Sequence, residues 1–330
     1  MQQITNKKRF IDLHLHLDGA ITASIARSLA RLQGMDLPPE DEELKRRLTV
    51  PEGCTSLNEF LNCFELPCAL LQRPEALTLA VQLVCEELEA QGVIYEELRF
   101  APQKHTDLGM TQEEAIVAAL KGLKNTDLKA NLILCCMRGE DNLAENLETV
   151  ELAAKYLVED GGVVAIDLAG AEALYPTKDF GAIFKRAREL GIPFTIHAGE
   201  AAGEESVKEA IEFGARRIGH GVRIANCPEI IRLLKEKGIV LEMCPTSNSQ
   251  TCAVTDMEHY PLTDLLNQGV KVTVNTDDPA IEGTTIAAEF EYLEKEHHLT
   301  RELRKELLLN AIDGAFTSEE VKEKLRSEIE

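Results

Sequence analysis

The sequence predicts an α/β protein, a (β/α)8 barrel with a helical insertion after the first strand and a C-terminal helical extension. Eight short apolar runs typical of buried strands recur along the 330 residues. Amphipathic stretches with helical spacing separate them, and five of these stretches end in Gly just before the next strand, as a helix with a glycine C-cap does. This alternation favours a parallel sheet with helical crossovers, and eight strands suggest that the sheet closes into a barrel.

The strands are predicted in chain order from these apolar runs. The first is "IDLHLHLDGA" at positions 11–20, and the other seven begin at Gly92, Leu128, Gly161, Gly191, Ala215, Gly238 and Gly269. An open, doubly wound sheet is the alternative. Its nucleotide-binding form is disfavoured, because no G-x-G-x-x-G follows the first strand and no G-x-x-x-x-G-K-[ST] occurs anywhere in the chain.

Two segments lie outside the regular alternation. Residues 21–75 contain Pro38-Pro39 and the stretch "SLNEFLNCFELPCALL", and they are predicted to form a helical insertion that covers the barrel mouth. The charged tail "SEEVKEKLRSEIE" is predicted to be a solvated helical surface. Because single barrels with insertions commonly reach this length, residues 1–330 are predicted to form one domain.

Composition restricts the partners of the protein. The formal net charge of −22 argues against a nucleic-acid backbone or an anionic membrane, and it is compatible with a small neutral or cationic molecule. No apolar run approaches the roughly 18 residues of a membrane span, and the N-terminus lacks a signal-like apolar core. Nine cysteines without a C-x-x-C pair fit a reducing compartment, so we expect a cytoplasmic protein. Its oligomeric state stays open, with a monomer as one option.

The first strand alternates completely between apolar and polar residues. Asp12, His14, His16 and Asp18 share one face of the strand, and Ile11 with the three leucines shares the other. An ordinary strand with one face in water would explain this pattern. Two imidazoles at i and i+2 can also aim at one metal ion, with Zn–N bonds of about 2.0–2.1 Å. The metal hypothesis needs further ligands from elsewhere in the chain.

Such groups occur where other predicted strands end. They are His197 and Glu200 after the fifth strand, His220 after the sixth, and Asp277 with Asp278 after the eighth. Singly, each histidine fits a hydrogen-bonded core position, and the aspartate pair in "NTDDP" fits a helix cap. In a (β/α)8 barrel, however, the carboxyl ends of all strands meet at one mouth. Three imidazoles and a carboxylate suit one Zn²⁺ with a position left open, and "VVAIDLAG" offers no Lys to bridge a second ion.

Seven ordered motifs carry a resemblance to a known family. They are "DLHLHLDGA", "VIYEELRFAP", "AIDLAG", "TIHAGEAAG", "RIGHGV", "CPTSN" and "NTDDP". The chain resembles the adenosine deaminases of the amidohydrolase superfamily over residues 10–316. The resemblance implies zinc-dependent hydrolysis of adenosine, and of 2′-deoxyadenosine, to the inosine product and ammonia. The choice of adenosine over adenine rests chiefly on "HLDG", where adenine deaminases more often have "HLEG".

The resemblance also implies roles for individual residues. The implied ligands of one zinc ion are His14, His16, His197 and Asp277. Glu200 matches the proton donor. His220 matches a catalytic position, and its imidazole is suited to accept the proton of the attacking oxygen and to hold that oxygen in line with the purine C6. The implied substrate contacts are His16, Asp18 beside the ribose, the backbone N–H of Gly170 and Asp278 beside the purine.

The resemblance has looser parts and departures. Phe60 and Phe64 are expected in an apolar lid. Ala171 stands where the family usually has Asp, and "PQKH" replaces the common ending of the second strand, so we expect His105 to be a loop residue and not a ligand. Asp12 receives no role.

Three other functions remain as alternatives. The first is a deaminase of adenine or of another adenosine-like nucleoside, and the second is a silent barrel that binds a nucleoside or a protein. The third is an amidohydrolase that cleaves an amide or ester. Deamination of polynucleotides is disfavoured, because the H-x-E and P-C-x-x-C elements of those zinc enzymes are absent.

Overall fold

Eight parallel strands form the centre of the protein in a computed structural model that describes residues 8–51, 53, 60 and 63–329. They pair in chain order as two four-stranded sheets, β1 to β4 and β5 to β8. The strands are β1 (Phe10–His16), β2 (Val93–Phe100), β3 (Ala130–Met137), β4 (Val163–Ala169), β5 (Thr195–Ala198), β6 (Arg217–His220), β7 (Val240–Met243) and β8 (Lys271–Val274). All eight coincide with the predicted apolar runs.

Parallel bridges join the two sheets at both seams. Between β4 and β5, Ile166 pairs with Phe194, and the Ile166 N–H donates to the Pro193 carbonyl at 3.1 Å. Between β8 and β1, Leu15 pairs with Asp277, whose carbonyl accepts from the His16 N–H at 2.8 Å. The eight strands therefore follow one another around a ring, and the predicted (β/α)8 barrel is confirmed.

Helices cover the outside of the ring. Those between successive strands are Pro74–Gln91, Gln112–Leu123, Leu143–Tyr156, Gly181–Glu189, Glu204–Phe213, Pro228–Lys237, Pro245–Gln250 and Leu262–Asn267. After β8 come Pro279–Glu282, Ile286–Glu296, Arg301–Gly314 and Glu319–Ile329. Among the described residues, none of these helices is long and apolar enough to cross a membrane.

The predicted glycine caps are present at some helix ends and absent at one. Gly92 and Gly238 end their helices with left-handed φ values of 95° and 66°, a conformation that favours glycine. The helix Leu143–Tyr156 instead ends well before Gly161. Its chain leaves the helix early because Leu157 forms a parallel bridge with Val163 of β4.

The alternation of β1 has the predicted consequence. Leu15 and Leu17 are fully buried in the large apolar core, and Ile11 and Leu13 pack in a smaller cluster with the helix Arg301–Gly314. The polar residues of β1 therefore point into the barrel. Asp12, left without a role by sequence, accepts hydrogen bonds from the Thr276 N–H and hydroxyl at 3.2 and 2.6 Å, so it ties β1 to the end of β8.

The C-terminal extension differs in part from its prediction as a solvated surface. Leu325 of the helix Glu319–Ile329 is fully buried, and Val321 and Ile329 pack against the same cluster as Ile11 and Leu13. These three side chains recur at helical spacing, so they form an apolar stripe on an otherwise charged helix. One face of the tail belongs to the core, and only the opposite face is solvated.

The insertion between β1 and β2 is helical, as predicted, and part of it lies beside the turn Asp18–Ala20 that follows β1. Its described helices are Ala23–Gln33, Asp41–Leu48 and Glu65–Leu70, while Ser56–Glu59, Leu61 and Asn62 of the quoted stretch lie outside the described residues. Cys68 Sγ lies 3.9 Å from the Asp18 carboxylate. Phe60 packs with Val50 and Ile281, and its ring centroid is 5.8 Å from that of Phe64.

Candidate functional site

Polar side chains from four strand ends converge at one mouth of the barrel. His14, His197, His220 and Asp277 are buried, and each places one ligand atom within 4.8 Å of the others. His16 adjoins this group, with Nε2 at 3.2 Å from His197 Nε2 and at 3.4 Å from Asp277 Oδ1. The structure therefore brings together all the residues that the sequence predicted to surround one metal ion.

Two of these residues have unusual backbone conformations. His220 and Asp277 have φ values of 62° and 66°, in the left-handed region that is uncommon for residues other than glycine, although Asn, Asp and His enter it more often than the rest. The backbone of Asp277 is held from β1, because its N–H donates to the His14 carbonyl at 2.7 Å. The strand ends are thus shaped to aim side chains inward at some conformational cost.

A carboxylate stands behind each of two histidines. His14 Nδ1 lies 2.7 Å from Glu242 Oε2, and His197 Nδ1 lies 2.8 Å from Asp167 Oδ2. In metal sites, such an outer carboxylate fixes the orientation of the ring and leaves the other nitrogen for the metal. On the inner side, His14 Nε2 lies 3.1 Å from Asp277 Oδ1. Both rings are therefore oriented towards the common centre.

One buried arginine connects the two carboxylates. Arg99 of β2 lies 3.0 Å from Asp167 Oδ2 through Nη1 and 2.8 Å from Glu242 Oε2 through Nη2. Burial opposes ionisation of Glu242, but Arg99, Arg217 and His14 outweigh it and hold its pKa well below the ordinary value. Burial likewise opposes ionisation of Asp167, and His197 with Arg99 holds its pKa low. Both carboxylates are therefore ionised.

Sequence reasoning missed these supporting residues. Arg99, Asp167 and Glu242 each interrupt an apolar strand, in "VIYEELRF", "VVAIDLA" and "VLEM". A charged side chain in a strand that is covered by helices on its outer face has only the barrel interior to occupy. A charged residue within such an apolar strand could therefore have been recognised from the sequence as facing the barrel interior. The sequence does not tell which histidine each charged residue contacts.

His14 and Asp277 show a similar balance of charge, whereas burial lowers the pKa of His16 well below its ordinary value. Burial and the Arg99 charge oppose protonation of His14, but the carboxylates of Asp277 and Glu242 outweigh them and raise its pKa to about 9. Burial also opposes ionisation of Asp277, and the histidines hold its pKa well below the ordinary value. Ser247 donates to Asp277 Oδ2 at 2.7 Å. The centre is built to stabilise positive charge.

Glu200 and His220 lie next to this centre. His220 Nε2 is 3.6 Å from Glu200 Oε2 and 3.7 Å from Asp277 Oδ2, and the Glu200 side chain keeps 20% of its surface exposed. His220 Nδ1 lies 3.0 Å from the Asn248 amide nitrogen, and the Tyr260 hydroxyl donates to the oxygen of that amide at 2.9 Å. Burial lowers the pKa of His220, so its ring is neutral near pH 7.

Asp278 and Asp18 are two further carboxyl groups close to the metal group. Burial and the nearby charges of Asp277, Asp18 and Glu200 raise the pKa of Asp278 well above its ordinary value, so it is a neutral acid that can donate a hydrogen bond. Burial also raises the pKa of Asp18. A Cβ on Gly19 would lie 1.8 Å from Asp278 Oδ1, which shows why "HLDG" needs its glycine.

A second group of carboxylates shares Asp277 but differs in charge. Asp277, Asp278 and Glu282 offer oxygens within 4.8 Å of one another. Burial and the charges of Asp277 and Asp278 raise the pKa of Glu282 well above its ordinary value. Neutral acids are poor ligands for a cation. Within the described part of the chain, the histidine group is therefore the better candidate for a metal.

The other residues that the sequence predicted for the site lie outside the group of His14, His197, His220 and Asp277. Gly170 follows β4 with a φ of 105°, on the same strand end as Asp167. Phe60 and Phe64 pack by Ile281, next to the loop that carries Asp278. His105 belongs to a short 3-10 turn, Pro102–His105, where it is buried with its ring centroid 5.7 Å from that of Phe100. His105 lies outside the group of His14, His197, His220 and Asp277.

The residues at the centre fit a divalent metal ion. Imidazole nitrogens with one carboxylate oxygen form the donor set that Zn²⁺ prefers, and catalytic zinc sites keep one further position open. The outer carboxylates on His14 and His197 complete the arrangement. A (β/α)8 barrel with such a group at the carboxyl ends of its strands defines a metal-dependent barrel enzyme.

The sequence profile of the adenosine deaminase family matches residues 10–330, and the chain belongs to this family. An adenosine deaminase of Haemophilus ducreyi is 48% identical over 327 residues, which cover 97% of this chain and 95% of the relative.

Solved structures of two other enzymes have the same fold. Adenine deaminase from Arthrobacter aurescens has a TM-score of 0.86 at 29% identity, with 97% of each chain covered. An amidohydrolase from Burkholderia ambifaria, solved with bound Zn, has a TM-score of 0.84 at 25% identity and covers 97% of this chain and 89% of its own.

The outer carboxylate of His14 should matter for metal affinity. We expect Glu242→Gln to weaken Zn²⁺ binding by about 10- to 100-fold, because a neutral amide makes the imidazole a poorer ligand. Competition with a chromophoric chelator measures this affinity. The matched control is Glu97→Gln, a buried carboxylate that binds Arg217 and the Tyr95 hydroxyl and no histidine. Equal zinc affinities in the two variants would contradict the assignment.

Proposed function

We propose that this chain hydrolyses adenosine to inosine and ammonia with one Zn²⁺ ion, and that it also accepts 2′-deoxyadenosine. The observation that carries the proposal is the convergence of His14, His16, His197 and Asp277 beside Glu200 in a chain of the adenosine deaminase family. The water oxygen adds to the purine C6 and stays there as the carbonyl oxygen. Of the two water hydrogens, one ends on N1 and the other on the exocyclic amino group, which leaves as ammonia when the C6–N bond breaks.

The zinc ligands in this proposal are His14, His16, His197 and Asp277. The structure brings His14, His197 and Asp277 together with His220, and His16 adjoins this group with its Nε2 at 3.2 Å from His197 Nε2 and 3.4 Å from Asp277 Oδ1. His16 is proposed as the fourth ligand because it matches a ligand position of the family. An ion held there supplies a water oxygen that is nucleophilic at neutral pH. The zinc-containing amidohydrolase neighbour supports this choice of metal.

Glu200 is the proposed donor of a proton to N1 of the purine. Protonation at N1 lets the ring accept the attacking oxygen at C6 without carrying a full negative charge. Glu200 suits this role because it lies 3.6 Å from His220 and retains access to the open side of the mouth. Asp278, as a neutral acid, donates a hydrogen bond to N7, and the backbone N–H of Gly170 contacts the purine ring.

His220 is proposed to hold the attacking oxygen. The sequence suggested that it also accepts the proton of that oxygen. The Tyr260 hydroxyl orients the Asn248 amide so that its nitrogen donates to His220 Nδ1, and a neutral ring then carries its proton on Nε2. In this tautomer, Nε2–H donates to the attacking oxygen and aligns it with C6. These hydrogen bonds favour a role in which His220 positions the attacking oxygen, and not one in which it accepts the proton of that oxygen.

The sugar end of the site supports a nucleoside substrate. Asp18, the first residue of the 3-10 turn Asp18–Ala20 that follows β1, is the proposed contact of the ribose, and His16 at the end of β1 is a second proposed substrate contact. Phe60 with Phe64 forms an apolar wall of the insertion. The alternative is adenine or another adenosine-like nucleoside, since adenine deaminase from Arthrobacter aurescens shares the fold. Asp18 in "HLDG" and the 48% identical adenosine deaminase favour adenosine.

Three further parts of the proposal concern the whole chain. We propose that residues 1–330 act as one domain, since elements from β1 to the helix Glu319–Ile329 belong to the barrel and its core. The partner is a small purine nucleoside and not a nucleic acid or membrane surface, which the net charge of −22 supports. The cysteine pattern supports a cytoplasmic location.

Substrate preference is tested directly by ammonia release from adenosine, 2′-deoxyadenosine and adenine under the same conditions. We expect the two nucleosides to give a kcat/KM at least about 10²-fold above that of adenine, because adenine has no sugar to form a hydrogen bond with Asp18. Faster turnover of adenine would overturn the choice of a nucleoside.

The proton donor is tested by Glu200→Gln. The amide cannot supply a proton, so we expect kcat for adenosine to fall by about 10²- to 10⁴-fold while zinc content stays at the wild-type level. Metal analysis and steady-state kinetics measure the two quantities. The control is Glu212→Gln, an exposed position on the helix Glu204–Phe213, which should leave both unchanged. Wild-type turnover by Glu200→Gln would remove Glu200 from the mechanism.

A further inference from the structure

Glu172 is a buried carboxylate outside the metal group, in the loop that follows β4. Its side chain is 3% exposed, and its two oxygens accept five hydrogen bonds. Oε1 accepts from the Gly199 N–H at 2.8 Å and from the Ser206 hydroxyl at 2.5 Å. Oε2 accepts from the backbone N–H groups of Glu200, Ala201 and Ala202 at 3.1, 2.7 and 2.9 Å. One side chain therefore binds four consecutive N–H groups of the loop after β5.

These N–H groups form a concave array around an anion. Gly199 has a φ of 74°, and this left-handed turn lets successive N–H groups point to the same side. Burial opposes ionisation of Glu172, but the Ser206 hydroxyl, the loop N–H groups and the Arg138 charge outweigh it and lower its pKa. The loop takes this shape around a carboxylate that belongs to the protein itself.

The same network continues to the backbone of His197. The Ser206 hydroxyl lies 2.7 Å from the Thr177 hydroxyl, which accepts from Arg138 Nη2 at 2.9 Å. Arg138 Nη2 also donates to the His197 carbonyl at 2.6 Å. From the other side, Arg223 Nε donates to the Glu200 carbonyl. The segment from His197 to Ala202 is thus held at both ends and along its length.

We propose that Glu172 is a positioning residue that fixes the backbone of Glu200 and thereby the direction of the Glu200 carboxyl group. This inference rests on the proposed function, since it takes Glu200 as the proton donor to the purine. Glu172 touches neither the metal group nor the open mouth, and it acts only through the loop. The Glu172 network reaches only the backbone of His197, whereas Asp167 holds the His197 ring, so we expect zinc content to be unaffected by changes at Glu172.

A glutamine at position 172 disturbs the array without changing its size. In one orientation, the new NH2 group faces the N–H groups of Glu200, Ala201 and Ala202, and in the other it faces Gly199 and Ser206. Either way, donors face donors, and the loop has to shift. The wild-type geometry survives only with a carboxylate.

The test is a double-mutant cycle that combines Glu172→Gln with Glu200→Gln. We expect Glu172→Gln alone to lower kcat for adenosine by about 10- to 100-fold, with KM within about 3-fold and zinc content unchanged. In the Glu200→Gln background, the same substitution should change kcat by less than about 2-fold, because a residue that acts only through Glu200 has nothing left to position. The control Asp160→Asn removes an exposed carboxylate that binds the Ser318 N–H and should leave kcat unchanged.

The outcomes separate this inference from the proposed function. The same fold-loss in both backgrounds, or wild-type kcat in Glu172→Gln, would overturn the positioning role. Wild-type turnover in Glu200→Gln alone would overturn the proposed proton donor, and the inference would fall with it. If Glu172→Gln does not fold, Ser206→Ala takes its place in the cycle, with an expected loss of about 3-fold in kcat that disappears in the Glu200→Gln background.

Discussion

The pairing of Arg99 with Asp167 and Glu242 is the interaction on which the site depends. All three side chains are fully buried, and each carboxylate also meets a histidine of the metal group. A buried carboxylate without a counter-charge takes up a proton. The protonated carboxyl group is a weaker acceptor for the imidazole N–H, so it no longer orients the ring firmly towards the metal. Removing one partner of a buried ion pair typically costs about 3–5 kcal/mol. The arginine therefore supports both the barrel interior and the orientation of His14 and His197.

The same principle divides the carboxyl groups of the mouth into two kinds. Where arginines or histidines face them, as at Asp167, Glu242 and Asp277, the pKa is held low and the groups are ionised. Where burial and neighbouring carboxylates dominate, as at Asp278 and Glu282, the pKa is raised well above its ordinary value and the neutral form is favoured. One mouth thus combines ionised carboxylates beside the histidines with carboxyl groups of raised pKa after β8.

The positions at the strand ends are predictable from sequence because a barrel brings all carboxyl ends to one mouth. His14, His197, His220, Glu200 and Asp277 each end an apolar run, so chain order was enough to expect them together. Their supporting partners are not predictable in this way. Glu242 meets His14 across 228 positions of sequence, and only the register of the closed barrel determines that pair. The five bonds of Glu172 and the apolar stripe of the C-terminal helix likewise depend on which elements become neighbours.

If one ion at the histidine group makes the barrel a nucleoside deaminase, turnover must follow the metal content of the protein. The protein is stripped with a chelator, and Zn²⁺ is returned in steps while adenosine turnover is followed by ammonia release. We expect turnover to be lost with the metal and to recover linearly up to one Zn²⁺ per chain. Full turnover in the metal-free protein, or recovery that continues to two ions per chain, would contradict this expectation.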